Sequence, residues 1–335
     1  MKTTGKVDCM WKNIRTDLAM EAREMAQEQG RHDIPGVQVE NFKAEEDISI
    51  TRVEVVSEIG EKNIGKPIGN YITLETPGIR DRDPVYEELV KKCLADEIRR
   101  LVNLNKDSVI LVVGLGNWNV TADAVGPKVV DRVLVTRHIF EYVPDQVDER
   151  MRRICAVAPG VLGITGVETG EIVKGIVDKV QPDLVIAIDA LASRKTERIG
   201  STIQIADTGI SPGSGIGNKR MGLNIDTLGV STLAIGVPTV VYAHTIGRDA
   251  LGMLIKEFSE QVEPDNELFL MLKTMDEKRL NSLVGEVLTE GLGDLVVTPK
   301  EVDLLIDDVA DIIADGINLA IHDGLTLEEV NRYLH

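Results

Sequence analysis

The sequence predicts an α/β protein built on a mostly parallel central sheet flanked by helices. Three observations carry that expectation. Short aliphatic runs stand at 109–113, 184–188, 203–205 and 232–237, the pattern of strands buried on both faces. Helix-like stretches separate several of them, as expected of a sheet sandwiched by helices. The core is aliphatic, since aromatic residues make up 3% of a chain that is 43% apolar.

The elements follow in order along the chain. Residues 13–29 read as an exposed, highly charged helix with a thin apolar stripe; residues 31–45, with Pro35 and Gly36 and no periodicity, read as a linker. β-rich stretches at 48–57 and 71–75 flank a turn-rich segment holding Gly60, Gly65, Pro67 and Gly69. They predict a small antiparallel unit ahead of the main domain. Asp83 then caps a helix with Pro84 in its first turn, and Val85, Leu89, Cys93, Leu94, Ile98 and Leu101 fall at helical spacing. Near the far end, Thr298-Pro299-Lys300-Glu301 sets a cap, a first-turn proline and a capping-box glutamate in order. Val302, Leu305, Ile306, Val309, Ile312, Ile313, Ile317 and Ala320 line one face of the helix that follows. The expected organisation is a leading segment at 1–17, an exposed helix and linker at 18–46, a small β unit at 47–80, an α/β core at 81–262 and a helical C-terminal region at 263–335 packed on that core.

Bulk composition narrows the function classes. The 335 residues carry 55 acids against 37 bases, a formal charge of -18. Such a surface opposes a phosphate backbone, which is bound by exchanging counterions for Lys and Arg. Direct nucleic-acid binding is therefore not expected, and a basic protein is the more natural partner. No stretch approaches the ~20 apolar residues of a membrane span, and residues 1–12 lack the apolar core of a signal peptide. Cys9, Cys93 and Cys155 are odd in number and form no CxxC, so reduced thiols in a cytoplasmic protein are expected.

In doubly wound sheets, catalytic groups gather beyond the carboxyl ends of strands. Two runs carry an aspartate at such an end. The first is 109–113 followed by Gly-Leu-Gly-Asn-Trp-Asn-Val-Thr-Ala-Asp-Ala-Val-Gly-Pro at 114–127, which holds Asp123; the second is 184–188 followed by Asp189. Gly114 and Gly116 do not open a dinucleotide fingerprint, because Asn119 stands where the third glycine belongs. The glycine-rich stretch 209–220 lacks a Walker ending. The glycines equally suit a tight strand exit, Asp123 a helix cap and Asp189 a turn. His32, His138, His244, His322 and His335 make no metal-ligand spacing, and no cofactor or metal is expected.

The run 114–127 resembles the signature of the germination protease family. So do Pro-Gly-Val-Leu-Gly-Ile-Thr-Gly-Val-Glu-Thr-Gly at 159–170, Ala-Ile-Asp-Ala-Leu-Ala-Ser-Arg at 187–194 and Asp-Thr-Gly-Ile-Ser-Pro-Gly-Ser-Gly at 207–215, in the same order. The resemblance implies a fold like that of hydrogenase maturation peptidases. Those relatives hold a metal through two acids and a histidine, but 210–213 here reads Ile-Ser-Pro-Gly. The family is regarded as an unusual aspartic type, and its two essential aspartates map onto Asp123 and Asp189. Two carboxyls held close share one proton, so the ionised member can activate water while the other assists the carbonyl or the departing amine. Backbone amides around Gly114, Gly116 and Asn117 are expected to support an oxyanion.

The resemblance further implies a precursor that processes itself and then cuts small acid-soluble spore proteins in the spore core, after Glu or Asp and before an apolar residue followed by Ala. Thr16-Asp17-Leu18-Ala19 fits that rule, with 1–17 as the pro-segment; Glu24-Met25-Ala26, with Glu21 as an added acid, fits again. The first cut is expected between Asp17 and Leu18, and the second between Glu24 and Met25 once the shortened helix frays. Arg194-Lys195 and Lys219-Arg220 are candidates for gripping the substrate acid. A tetramer is implied by the resemblance. A metal-dependent maturation peptidase and a non-enzymatic binder of basic spore proteins are the alternatives.

Overall fold

Alternation along the aliphatic runs sorts the core into two layers. Ile110, Val112, Ile186, Ile188, Ile203 and Ile205 point to one face, while Leu111, Val113, Val185 and Ala187 point to the other, as the two-residue period of a strand requires. The computed structural model describes residues 16–28, 33–45, 47–211, 221–243, 245–247, 250, 253–254, 257 and 295–334.

The strands are β1 (Val37–Glu45), β2 (Ile48–Val55), β3 (Gly69–Glu75), β4 (Val109–Gly114), β5 (Arg153–Val157), β6 (Leu184–Ser193), β7 (Thr202–Ala206), β8 (Ser231–Tyr242) and β9 (Val296–Val297). They form one sheet in the order β1-β2-β3-β7-β8-β6-β4-β5, with β9 on β8. Only β5, β4, β6 and β8 are parallel neighbours. The pairs β1–β2, β2–β3, β3–β7, β7–β8 and β8–β9 are antiparallel. The α/β class holds, but the sheet is mixed and mostly antiparallel, which corrects the expectation of a mostly parallel one. A parallel crossover needs ~12 or more residues; the connection 194–201 between β6 and β7 is shorter, so β7 returns antiparallel. Through β3–β7 the antiparallel unit is continuous with the core sheet.

The N-terminal helix is not exposed. In α1 (Ala19–Glu28) the side chains of Ala19, Met20 and Ala26 are buried, as is Leu18 just before it. Ala19 and Ala26 pack with Ile34, Val53, Val55, Tyr71 and Ala206. The segment taken for a linker is partly the edge strand β1, where Val37 and Val39 join that cluster. Glu40 and Lys43 are exposed along it, charges that suit an edge.

Ser57 caps α2 (Glu58–Ile64), which stops at Gly65 in the left-handed region at φ 69°. The expected cap of α3 (Pro84–Leu101) is present, with the Val85 amide donating to Asp83 Oδ1 at 3.0 Å. The C-terminal helix begins later than its sequence signals. It spans Val302–Ile321, and Thr298 Oγ1 donates to the Thr239 carbonyl at 2.8 Å instead of capping it. Pairing of Val296–Val297 with β8 keeps the chain extended up to that point. Helix α3 meets this helix closely, since a Cβ on Gly316 would stand 2.6 Å from Leu94. Among the described residues, no helix is long and apolar enough to cross a membrane.

Candidate active site

Asp123 owes its place to two glycines. The chain leaves β4 through Gly116, whose φ of 116° few other residues adopt, and a Cβ there would lie 1.9 Å from the Asp123 carbonyl oxygen. The Asn117 amide donates to that same oxygen at 3.0 Å, and the Asp123 amide donates to the Val120 carbonyl at 2.8 Å. Gly126, at the start of α4 (Val125–Val130), lets the helix press on the strand exit, since a Cβ would meet the Leu115 carbonyl at 2.3 Å. Because the Asn117 N–H is committed inside the loop, it is not open to a substrate oxyanion in this conformation.

Asp189 lies within β6, which runs on to Ser193, and not at its end. Pairing with β4 stops at Gly114–Ile188, so Asp189 is the first residue beyond it, opposite Gly236 of β8. The residue is 9% exposed, and its Oδ1 accepts from the Ala190 amide at 3.0 Å. Asp123 and Asp189 line one cleft of about 490 Å³, together with Asp17, Lys66, Tyr71 and Gln204.

The segment before α1 forms part of the wall of this cleft. The Asp17 amide donates to the Ala192 carbonyl at 3.2 Å, and the Ala192 amide donates to Asp17 Oδ2 at 2.9 Å. On the Asp17 carbonyl oxygen, Lys66 Nζ donates at 2.7 Å and Gln204 Nε2 at 3.2 Å. Gln204 Oε1 accepts from the Ala19 amide at 2.6 Å. The Asp17–Leu18 peptide bond is therefore held from both sides. Burial pulls the Lys66 pKa below its ordinary value against the opposing charges of Asp17 and Glu21.

Beyond it, α1 is fastened through acids. Glu21 is fully buried and accepts from the Arg194 amide at 2.7 Å, the Lys195 amide at 3.2 Å and Arg198 Nη1 at 2.9 Å, and also from the Thr16 hydroxyl. Glu24 meets Arg198 Nη2 at 2.7 Å and Lys195 Nζ at 3.0 Å. Arg198 also reaches Glu75 at 3.2 Å. Burial works against the Arg198 charge, yet the hydrogen bonds and charges of Glu24 and Glu21 hold its pKa above the usual value. For Glu24, burial opposes ionisation, and Arg198 and Lys195 outweigh it to lower the pKa below 4.5. A carboxylate with a lowered folded pKa contributes stability above its unfolded pKa and loses it as pH falls through the folded one. The protection factors of the α1 amides against hydrogen exchange are accordingly expected to hold on mild acidification and to fall only below the unfolded carboxylate value of 4.5.

Of the bases expected at the substrate acid, Arg194 and Lys195 lie against this segment, while Lys219 and Arg220 fall outside the described residues. Arg198, Lys66 and Gln204 escaped the sequence reasoning. Arg198 is the third base of the loop after β6, a concentration to notice in a chain of charge -18. Gln204 interrupts the apolar run 203–205, a polar residue where a buried strand has no use for one unless it is paired.

The chain is similar to known proteins over nearly its whole length. The family model described as germination protease matches residues 15–273 and 261–334. A germination protease of Caldanaerobacter subterraneus subsp. tengcongensis is 55% identical, over 96% of this chain and 98% of its own. One from Clostridium tetani is 48% identical over 96% of this chain and 100% of its own, and one from Bacillus cereus 42% identical over 96% and 97%. The class is thus that of a peptidase. More narrowly, the chain belongs to the germination protease family, and it is a protease that acts in spore germination.

Proposed function

We propose that the chain is a precursor of an endopeptidase that cuts itself between Asp17 and Leu18, then between Glu24 and Met25, and afterwards cuts small acid-soluble spore proteins. The carrying observation is that Asp17, at the predicted first cut, lines the same cleft as Asp123 and Asp189, and that its carbonyl accepts from Lys66 of that lining. The chemistry is of an atypical aspartic type. The ionised member of the pair takes a proton from water, whose oxygen attacks the carbonyl carbon; the protonated member gives its proton to the departing nitrogen. The acid before the first cut is Asp17, whose carboxylate accepts from the Ala192 amide.

The substrates are basic-protein partners suited to a chain of charge -18, the working compartment is the spore core, and the assembly is a homotetramer; equilibrium sedimentation checks the last. Incubating the purified chain at mildly acidic pH and reading its new N-termini tests the whole reading, with Leu18 and then Met25 expected. No metal takes part, since 210–213 carries no histidine. Exhaustive chelation of the processed chain is expected to leave its rate unchanged. Activity lost to the chelator and restored by one divalent ion would favour a metal-dependent peptidase.

A further inference from the structure

We infer that Lys66 is a catalytic residue of this protease, its ammonium stabilising the oxyanion that forms on the scissile carbonyl, and that Gln204 positions the bond. The inference rests on the reading of Asp17–Leu18 as the first cut. Three contacts carry it. Lys66 Nζ stands 2.7 Å from the Asp17 carbonyl oxygen, the atom that becomes negative when water adds to the carbon. Gln204 Nε2 reaches the same oxygen at 3.2 Å, and its Oε1 takes the Ala19 amide at 2.6 Å, so one side chain fixes the backbone two residues past the bond as well as the carbonyl before it. A cation on the carbonyl oxygen divides the labour among the acids, because neither aspartate is then needed to polarise that oxygen.

The local sequence puts Lys66 there deliberately. Gly65 ends α2 in the left-handed region, and Pro67 follows, its carbonyl accepting from the Tyr71 hydroxyl at 2.8 Å. The lysine backbone is thus clamped between a turn glycine and a tethered proline. Its side chain reaches the Thr16 carbonyl too, at 3.4 Å. Gln204 is held in β7 with β3 on one side and β8 on the other, opposite Thr73 and Gly236. Donors held in place before the reaction act without reorganising as charge develops.

The step balances as a hydrolysis. A water oxygen bonds to the Asp17 carbonyl carbon and loses one proton to the ionised carboxylate of the pair. The carbonyl oxygen carries the negative charge against Lys66 Nζ and Gln204 Nε2. The carbon–nitrogen bond then breaks as the Leu18 nitrogen takes the proton of the other carboxyl, leaving a new acid on Asp17 and a free amine on Leu18.

The test compares Lys66→Met, Lys66→Arg and Gln204→Leu with Asp123→Asn in the full chain. Loss of one oxyanion donor lowers a rate ~10²–10³-fold, and that fall is expected in the first-order appearance of Leu18 for Lys66→Met, with partial recovery in Lys66→Arg. Because Lys66→Met also loosens the pro-segment, each variant is next processed in trans by unaltered enzyme and assayed on a peptide bearing an acid–Ile–Ala site. A fall in kcat for Lys66→Met, with KM within a few fold, supports the oxyanion role, and a raised KM for Gln204→Leu supports positioning. A raised KM with unchanged kcat for Lys66→Met reduces the lysine to a binding contact and overturns the inference. Native processing by Lys66→Met while Asp123→Asn is inert also overturns it and leaves the protease reading intact. Native processing by Asp123→Asn removes that reading itself.

Discussion

Asp123→Asn and Asp189→Asn are each expected to give a folded chain that neither processes itself nor cuts a spore-protein peptide. The amide keeps the shape of the carboxyl and removes its titration. Proton transfer by one positioned group supplies typically ~10²–10⁴-fold, and a pair that shares one proton loses both its base and its acid when either member is replaced. The expected fall is therefore at least ~10⁴-fold for each single variant. Melting temperature should stay close to that of the unaltered chain. Asp123 is fixed in its loop by backbone contacts that survive the change: its carbonyl takes the Asn117 amide and its own amide donates to Val120. Asp189 sits in a strand whose ladder to β8 does not involve the carboxyl. Time courses of N-terminal sequencing and a peptide assay check the prediction. Either variant cutting at the native rate would remove the pair as the catalytic machinery.

What the sequence discloses about this site depends on the range of the contacts involved. The exit 114–127 was legible because its glycines answer to steric demands that stay local: Gly116 has no room for a side chain beside the Asp123 carbonyl seven residues on. The capped start of α3 at Asp83-Pro84 was legible for the same reason. The direction of β7 was not, because a run as short as Ile203-Gln204-Ile205 looks alike in either orientation and only the short connection 194–201 decides it. The burial of α1 was hidden more deeply. Its charged surface reads as solvated, yet Glu21 is neutralised by Arg198 and by the amides of Arg194 and Lys195, partners more than 170 positions away. Lys66 and Gln204 were missed for that reason too: each is ordinary in its own segment and acquires a role only where Asp17 arrives.

The second large effect concerns the order of cutting. Processing of the unaltered chain is expected to release Leu18 first and Met25 later, and Arg198→Ala to hasten the later cut. The delay does not come from a helix that the first cut shortens, because α1 begins at Ala19, already beyond the bond. At ten residues α1 is shorter than the ~12–15 at which isolated helices become marginal, so it persists through what it packs against. Glu24 lies seven residues past Asp17, ~10 Å along a helix at 1.5 Å per residue, and its carbonyl enters the cleft only if α1 comes apart. The first cut removes the ties made by Asp17 to Ala192, Lys66 and Gln204, and the one from Thr16 to Glu21. The Arg198 pairs with Glu21 and Glu24 remain as the latch. Breaking a buried ion pair from one side costs ~3–5 kcal/mol, and each 1.4 kcal/mol is tenfold in an opening equilibrium, so Arg198→Ala should speed the appearance of Met25 by ~10²-fold or more. Asp17→Ala should delay both cuts, and Glu24→Ala should spare the first. Sequencing of new N-termini over time decides between the outcomes: Met25 preceding Leu18 in the unaltered chain would break the order, and an unchanged interval in Arg198→Ala would show that the latch does not set the delay.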